Sequence, residues 1–319
     1  MPSSVPGWRA HGGVAPHVTR SIEEECLVKL SLRLVCVASA LALAVLGAPA
    51  AASAWAPASS ATIRPGVMTF TGASSFLGGA GQCTANFVFT DASGGAYLGQ
   101  AAHCSSTGSS TETNGCSAGS LPLGTPIYSG ELVNGGIQNG TRIGTLSYNS
   151  WIAMQSAKEK DANTCAYNDL ALIKIESSQV ANVNPTVPVW GGPDGLAAGA
   201  SATGERVFSY GNSILRGGIS ALRPKTGASL GEAEGSGGWS SQVYTVTPGI
   251  PGDSGSGFMN ASGNALGVLS TVELAPVAGS NGVGTLAKEL AYANSATGLG
   301  LAVAAGTTPF NAVPVPPAP

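Results

Sequence analysis

Gly252-Asp253-Ser254-Gly255 places a serine between small residues, so the backbone can turn sharply around it. Such a turn exposes the hydroxyl and lets the amides of Gly252 and Ser254 point at one spot. Two amides arranged in this way can bind a developing oxyanion, and removal of one such donor costs about 3 kcal/mol. The same residues also suit an ordinary surface turn in a chain that contains 46 glycines. The stretch therefore indicates a reactive serine only if other residues supply a base and an acid.

His103 is the candidate base because it is the only histidine outside the N-terminal export segment, which contains His11 and His17. A serine hydroxyl is a weak nucleophile unless a neighbouring base takes its proton. A structural histidine is the alternative. The setting Ala101-Ala102-His103-Cys104 disfavours a purely structural role, because two small residues precede the histidine and a cysteine, which can form a disulfide, follows it.

Asp169 is the candidate acid, and it directly precedes the apolar run Leu170-Ala171-Leu172-Ile173. An acid that enters a hydrophobic strand needs a polar partner, because burying it unpaired is costly. A carboxylate in this position can orient the imidazole of His103 and stabilise its charged form. The alternative is an exposed loop aspartate just before a strand.

The chain order of these three residues distinguishes between the folds that use such a triad. The α/β-hydrolases place the histidine after the serine, and no histidine follows Ser254. The subtilisin order of Asp, His and Ser can be formed with Asp91, but subtilisins contain long helices and this sequence favours strands. The order His103, Asp169, Ser254 is that of chymotrypsin.

The composition predicts a turn-rich all-β protein. Hydrophobic residues make up 43% of the 319-residue chain, enough to bury a core, and charged residues only 10%. From Val67 onward, short apolar runs alternate with clusters of Gly, Asn and Ser, and 242–247 alternates as a half-buried strand does. Leu286–Tyr292 is the best candidate for a helix. The net charge of −3 and the lack of a basic run argue against nucleic-acid binding.

Three segments together resemble the signature segments of the trypsin/chymotrypsin-like serine peptidases. They are Ala101-Ala102-His103-Cys104, Asp169-Leu170-Ala171-Leu172-Ile173 and Gly252-Asp253-Ser254-Gly255. The resemblance runs from about Val67 to Leu301, and the Gly- and Ala-rich composition suggests a bacterial, actinobacterial member. It implies two antiparallel six-stranded β-barrels with the triad in the cleft between them. The candidate helix would be a short C-terminal helix.

The domain organisation is predicted from the N-terminal signal and from the extent of this resemblance. Lys29 and Arg33 precede the apolar stretch 34–46, and Ala52-Ser53-Ala54 is a small-x-small cleavage site, so a secreted chain without a stable membrane span is expected. An uncleaved signal anchor is the alternative. The predicted parts are a signal peptide (1–54), a linker or short pro-segment (55–66), the peptidase-like domain (67–305, with barrel 1 at about 67–180 and barrel 2 at about 185–290) and a flexible Pro-rich tail (306–319).

The cysteines predict a disulfide-bonded protein. The mature chain would keep Cys83, Cys104, Cys116 and Cys165, and four cysteines in an exported chain suggest two disulfides with three connectivities to choose from. Cys83 and Cys104 match the disulfide that clamps the histidine loop in the family, and the favoured pairs are Cys83–Cys104 and Cys116–Cys165. Free thiols or a metal site are the alternatives, but no Cys-x-x-Cys spacing occurs, so no metal or other cofactor is implied.

The resemblance also implies a substrate site. Ser270 would support the histidine, and Ser270, Thr271 and Val272 would bind the substrate backbone as an added strand. Pro248 occupies the position where an acid would select Arg or Lys, so a small or medium apolar residue before the cut is expected. Val272 stands where the family often has Gly, which would narrow the pocket.

Asp253 departs from the pattern of the animal digestive enzymes. The chain lacks their Ile-Val-Gly-Gly start, so the zymogen switch in which a new N-terminus pairs with Asp253 is not expected. An internal cation such as Arg206 or Arg142 is expected to take that place. Gly255-Ser256-Gly257 also differs slightly from the residues that usually follow the serine.

The resemblance implies a secreted, monomeric serine endopeptidase that acts on proteins or peptides through an acyl-enzyme. Three alternatives stay open: a catalytically silent binding module of the same fold, an ester-directed hydrolase, and a structural β-sandwich in which the three motifs are coincidental. The intact triad argues against the silent module, since such proteins usually lose one member.

Overall fold

The structure is a computed structural model of the chain, and it describes residues 55–73, 81–108, 112–133, 136–137, 140–275 and 277–314. The predicted signal peptide and the end of the predicted tail, 315–319, lie outside the described residues. None of the described helices is both long and apolar enough to cross a membrane.

Most of the regular secondary structure in the described part of the chain is β-strand, as predicted. The strands are β1 (Met68–Thr71), β2 (Gln82–Thr84), β3 (Val88–Thr90), β4 (Ala96–Ala101), β5 (Pro126–Gly130), β6 (Leu132–Val133), β7 (Gly136–Ile137), β8 (Thr141–Asn149), β9 (Leu170–Ile175), β10 (Gly195–Leu196), β11 (Arg206–Tyr210), β12 (Pro224–Glu232), β13 (Ser240–Thr245), β14 (Gly257–Met259), β15 (Asn264–Glu273), β16 (Ser280–Thr285) and β17 (Ala302–Val303). The α-helices are α1 (Ser150–Ala157), α2 (Ala162–Tyr167) and α3 (Leu286–Thr297).

The first barrel is an antiparallel sheet in the order β17-β3-β4-β9-β8-β5-β1-β2. Its two ends meet because β2 and β3 are halves of one bent segment, in which β2 pairs with β1 and β3 pairs with β4. Between the halves, Ala85 N–H donates to the Val67 C=O over 2.9 Å, and Asn86 N–H donates to the Gly99 C=O over 2.8 Å. With the bent segment counted once, β1, β4, β5, β8 and β9 complete a six-stranded barrel. Its core includes Leu98, Ile127, Ile143, Leu146 and Ile173.

The second barrel contains β11 to β16 and closes on itself. The strands follow the order β15-β14-β11-β12-β13-β16, and β16 pairs antiparallel with β15 to complete the ring. The short strand β10 adds a parallel pair against Asn264 and Ala265 of β15. The prediction of two six-stranded barrels is therefore confirmed. The side chains that fill this barrel are Val207, Val243, Phe258, Leu266, Leu269 and Val283.

A further apolar cluster joins the two barrels and borders the cleft. Phe208 of β11 is buried there, and its ring centre lies 5.2 Å from that of Trp190 in an edge-on arrangement. Phe87 and Leu172 of the first barrel and Met259 of the second belong to the same cluster. Because this cluster is continuous, the loops on the two sides of the cleft are held in one arrangement.

Helix α3 confirms the predicted C-terminal helix and extends it. The prediction covered 286–292, whereas the helix continues to Thr297, where Gly298 ends it in the left-handed conformation (φ +67°). Leu290 packs into the cluster between the barrels. Glu289, on the same helix, is an acid that is completely buried.

Helix α1 has no counterpart in the sequence prediction. The Asn149 side chain caps its first turn by accepting the N–H of Trp151 over 2.9 Å. Trp151 and Met154 are buried in the core of the first barrel. The helix is short and has no pronounced apolar face, so its sequence carries little periodic signal.

The segments that flank the barrels make defined contacts. In 55–66, predicted as a linker or pro-segment, Ile63 is buried and its N–H donates to the Asn182 C=O over 3.1 Å. In the predicted tail, the Phe310 ring lies edge-on to Phe208 with the centres 5.0 Å apart. The processing of the first segment and the flexibility of the chain after 314 stay predictions.

Candidate active site

The Asp169 carboxylate lies at the centre of a hydrogen-bonded group in the cleft and is only 3% exposed. Its Oδ2 atom is 2.7 Å from His103 Nδ1 and accepts the Ser270 hydroxyl over 2.6 Å. Its Oδ1 atom accepts the backbone N–H of His103 over 2.9 Å. The carboxylate therefore favours the tautomer in which Nδ1 carries the proton, and this leaves Nε2 as the basic nitrogen.

His103 is carried by a 3-10 turn, Ala102–Ser105, that follows strand β4 directly. Asn149 Nδ2 donates to the Ala102 C=O over 3.0 Å. The disulfide between Cys104 and Cys83 joins the same turn to strand β2. The turn is thus fixed from two neighbouring elements, and the ring has little freedom to leave Asp169.

Two opposing effects set the pKa of His103. Burial disfavours the imidazolium and acts to lower the pKa, whereas the charge of Asp169 and its hydrogen bond to Nδ1 act to raise it. The attraction to Asp169 prevails, so the pKa of His103 lies above its ordinary value of 6.5. The side chain keeps 23% of its surface exposed, so the ring can meet a substrate from the cleft.

The turn that carries Ser254 depends on its two glycines. Gly252 and Gly255 have φ angles of +94° and +87°, a region in which a side chain causes strain. A Cβ on Gly252 would also collide with the Gln82 side chain. The Gly252 C=O is held by Gln82 Nε2 and by Thr84 Oγ1, each over 2.8 Å. The small residues that first indicated a sharp turn are therefore required by the backbone.

The amides of Gly252 and Ser254 have no hydrogen-bond partner in the described part of the chain. The amides next to them are used, since Asp253 N–H donates to the Ile250 C=O over 2.8 Å and Gly255 N–H donates to the Leu269 C=O over 2.7 Å. These two unused amides, one of them that of Ser254 itself, can receive an oxyanion.

Strand β2 links the serine turn to the histidine turn. Thr84 N–H donates to the Ser254 C=O over 2.8 Å, and the adjacent Cys83 is bonded to Cys104 beside His103. The hydrogen bonds of the described residues include none between the Ser254 hydroxyl and His103. Contacts between nucleophile and base are often long in ligand-free proteins and shorten when substrate binds.

The buried Asp253 carboxylate, next to Ser254, is neutralised by two cations. Its Oδ2 atom is 2.6 Å from Arg216 Nη2 and 2.8 Å from Lys225 Nζ, and the Lys225 side chain is fully buried. Its Oδ1 atom accepts the Ser213 N–H over 2.9 Å. Burial lowers the pKa of Lys225, although the charge of Asp253 opposes this shift. An internal cation, as predicted, thus pairs with Asp253 within the described residues.

The two cations named in the prediction, Arg206 and Arg142, are not the partners of Asp253, so that part of it was wrong. Arg142 Nε lies 2.7 Å from Glu176 Oε1. The Arg206 guanidinium lies over the Phe208 ring, 4.9 Å from its centre. Both arginines project from strands towards other partners.

The residues expected to bind the substrate backbone lie on an open edge of the second barrel. Ser270–Val272 belongs to β15, whose pairing with β14 ends at Val268. On its other side this stretch pairs with β16 through Gly282 and Asn281. The edge towards the cleft is therefore free of strand pairing in the described part of the chain, and Val272 is 49% exposed there.

Two residues that the sequence analysis did not single out contact the site. Asn281 is fully buried in β16. Its side chain accepts the Gly249 N–H over 2.7 Å and donates to the Thr271 C=O over 3.2 Å, so it links the segment before the serine turn to β15. Glu289 accepts the Asp169 backbone N–H over 3.0 Å. Neither gives a sequence signal, because Asn in a strand and Glu in a helix usually lie on the surface.

The structure contains two disulfides, Cys83–Cys104 and Cys116–Cys165, which are the pairs that the sequence analysis favoured. The ligand atoms of Cys83, Cys104 and His103 lie within 4.8 Å of one another, a spacing that metal sites also show. Both sulfurs are used by the disulfide, so they are not the thiolates that a metal ion would need.

Three bacterial proteases are among the solved structures to which this chain is similar. Thermobifida fusca Protease A is 16% identical, and the match covers 76% of this chain and 99% of that chain with a TM-score of 0.43. The Nocardiopsis protease NAPase is 18% identical over 76% and 98%, with a TM-score of 0.39. Cellulomonas bogoriensis chymotrypsin is 16% identical over 76% and 98%, with a TM-score of 0.42. No family model matches the chain, and no curated protein matches it.

Proposed function

We propose that this chain is a secreted serine endopeptidase in which Ser254 is the nucleophile, His103 the general base and Asp169 the group that orients the imidazole. The observation that carries the proposal is the 2.7 Å contact between His103 Nδ1 and the buried Asp169 carboxylate. It lies beside a serine turn with two amides that take no partner among the described residues. Such a carboxylate, histidine and serine together can activate the hydroxyl.

The reaction divides into acylation and deacylation. His103 Nε2 takes the proton of the Ser254 hydroxyl while the oxygen attacks the peptide carbonyl. The carbonyl oxygen, now negatively charged, lies against the amides of Gly252 and Ser254. The imidazolium gives its proton to the leaving amine, the C–N bond breaks, and an ester remains on Ser254. Water then attacks this ester with the help of the same base and releases the carboxylic acid and the free hydroxyl.

The open edge of β15 favours an extended peptide over a small ester as the substrate. The main chain of Ser270–Val272 can pair with an added strand, which gives affinity along several residues of a peptide. Export of the protein agrees with its two disulfides, because disulfides persist in oxidising compartments.

The pocket beside the serine turn is expected to reject a basic side chain. The Pro248 C=O, at the position where an acid would select Arg or Lys, accepts Arg216 Nη2 over 2.7 Å, and Lys225 lies close by. A basic side chain of the substrate would be a third cation in a region that already holds two. We therefore infer cleavage after a small or medium apolar residue.

A binding module of the same fold that does not catalyse a reaction is the second candidate. It is favoured by one observation, namely that no hydrogen bond between Ser254 and His103 is present among the described residues. An ester-directed hydrolase would share the triad and differ in its substrate only.

A fluorophosphonate probe tests the proposal because it reacts with activated serines. We expect the wild-type protein to be labelled and the variants Ser254→Ala and His103→Ala not to be labelled. Ser262→Ala is the matched control, since Ser262 is an exposed serine in a turn, and it should be labelled like the wild type. A folded wild-type protein with intact disulfides that is not labelled would support the binding module. A library of peptides and esters then determines which bond is cleaved.

A further inference from the structure

Helix α3 brings a second carboxyl group against Asp169. Glu289 has no exposed surface, and its Oε1 atom accepts the Asp169 backbone N–H over 3.0 Å. Its other oxygen, Oε2, is buried and has no hydrogen-bond partner among the described residues. Leu286 and Leu290 fix the helix in the cluster between the barrels, so Glu289 cannot turn towards solvent without moving the helix.

The backbone of β16 leaves room for this carboxyl group. A Cβ on Gly284 would press against Glu289 Oε1 and against the Tyr167 C=O. Only the lack of a side chain at Gly284 allows the strand and the carboxyl group to pack so closely. The glycine in β16 therefore provides the space in which the Glu289 carboxyl group is buried.

The groups that face Glu289 do not neutralise a negative charge. Asp169 faces it from the position just before β9, and Tyr148 faces it from β8. The Tyr148 hydroxyl is itself buried without a partner among the described residues. Strand β16 and helix α1, which also pack against α3, contain no ionisable side chain. Strand β15 contributes only Glu273, at its far end.

The cations nearby have other partners. Lys174 of β9 is exposed and lies over the Tyr97 ring. On α3 itself, Lys288 lies over the Trp239 ring, and the Tyr292 hydroxyl donates to Glu159 over 3.3 Å. His103 is the remaining group, and Asp169 stands between it and Glu289. Within the described residues, no Lys, Arg or His forms an ion pair with Glu289.

A carboxyl group in these surroundings keeps its proton at neutral pH. Burial raises the pKa of Glu289 to about 8, and the charge of Asp169 acts in the same direction, while the hydrogen bond from the Asp169 N–H acts to lower it. The neutral acid can accept this N–H without placing a second negative charge beside the Asp169 carboxylate.

We infer that Glu289 is a positioning residue: as a neutral carboxylic acid it holds the main chain of Asp169, and its ionisation lowers the reactivity of Ser254. The inference rests on the proposed function. Two effects of ionisation have the same sign. First, an ionised Glu289 repels the Asp169 carboxylate and draws water into their contact, and this displaces Asp169. An additional negative charge near His103 also favours the imidazolium, which cannot take the proton of Ser254.

The rate constant of fluorophosphonate labelling, measured from acidic to alkaline pH, tests this role. The rate of the wild type is expected to decline as the pH rises through about 8. Glu289→Met removes the acceptor, and we expect it to lower the rate about 10- to 100-fold at neutral pH. Glu289→Gln keeps an acceptor that cannot ionise, so it should restore most of that loss and abolish the alkaline decline. Glu234→Gln, an exposed glutamate, is the matched control and should follow the wild type.

Two measurements report on the proton independently of activity. Infrared spectra of the wild type at neutral pH should contain a protonated-carboxyl band that Glu289→Gln lacks. Thermal unfolding at different pH values is the second measurement. The unfolded chain loses this proton near 4.5 and the folded chain near about 8, so the stability that the neutral acid contributes is lost between these values. The Tm of Glu289→Gln minus the Tm of the wild type should therefore increase as the pH rises across that interval.

The outcomes separate the two proposals. A labelled wild type whose alkaline decline is shared by Glu289→Gln, or whose rate is shared by Glu289→Met, overturns the role of Glu289 and leaves the proposed function intact. A wild type that is not labelled at any pH overturns the proposed function and the role of Glu289 with it. An infrared spectrum without the protonated-carboxyl band overturns the neutral state of Glu289.

Discussion

Asp169 accepts three hydrogen bonds around the triad, from the ring and backbone of His103 and from the Ser270 hydroxyl. These three contacts fix the carboxylate with Oδ2 towards Nδ1, and because an ionised carboxylate can only accept, Nδ1 carries the proton. The basicity of Nε2 is therefore a property of the atoms on the opposite side of the ring.

Asp169→Asn is expected to lower kcat about 10,000-fold while the fold is kept, because the amide can present an N–H to His103 Nδ1 and so favour the wrong tautomer. Hydrolysis of a peptide substrate and near-UV circular dichroism measure the two effects. Ser270→Ala removes one donor and leaves the tautomer unchanged, so its loss should be much smaller. Equal losses in both variants would contradict this explanation.

The pH dependence of kcat/KM should show an acid limb set by His103. The base must be neutral to take the Ser254 proton, and its pKa is raised above 6.5 by the prevailing attraction to Asp169. Activity is therefore expected to fall as the pH decreases, with a midpoint above 6.5. A midpoint well below 6.5 would show that burial prevails instead.

The turn that precedes Ser254 is an element stabilised from its neighbours rather than from within. Arg216 reaches it from the loop after β11, and Lys225 reaches it from β12. Gln82 and Thr84 of β2 hold its Gly252 carbonyl from the other barrel. The orientation of the two amides therefore depends on three separate elements.

Asp253→Asn is expected to destabilise the protein by about 3–5 kcal/mol, because it leaves two buried cations without their counter-charge. Lys225→Met should cost less, since Arg216 remains to pair with Asp253 and the thioether fills the buried space. Urea unfolding of both variants gives the free energies. The prediction fails if Lys225→Met is the more destabilising of the two.

The elements differ in how far the sequence predicts them. The segments around His103, Asp169 and Ser254 were recognisable because each combines a functional residue with small or apolar neighbours in a fixed order. The partners of Asp253 were not, because Arg216 and Lys225 reach it only through the closure of the second barrel. Glu289 was missed for a related reason: a glutamate in a short helix is expected to face water, and only the tertiary packing buries it.

The two barrels act as one body through the cluster around Phe208. This side chain is 1% exposed and contacts the rings of Trp190 and Phe310, so residues from β11, from the connection between the barrels and from the C-terminal segment meet there. The packing between the two barrels thus depends on Phe208, which is not one of the residues of the candidate active site.

Phe208→Ala is expected to lower the free energy of unfolding by about 3–5 kcal/mol, because it leaves a cavity between the barrels. Urea unfolding followed by tryptophan fluorescence measures the loss. Val246→Ala is the matched control, since Val246 is 83% exposed and its removal should change the stability by no more than about 0.5 kcal/mol. Similar effects in both variants would show that the cluster does not hold the barrels together.

The hydrogen bonds from β2 to the serine turn have a consequence for when the site is completed during folding. Gln82 and Thr84 lie in the first barrel, whereas the Gly252 carbonyl and the Ser254 carbonyl that they bind belong to the second. Under the proposed function, Ser254 would therefore become reactive only after the two barrels have docked, so docking would itself be the activating step.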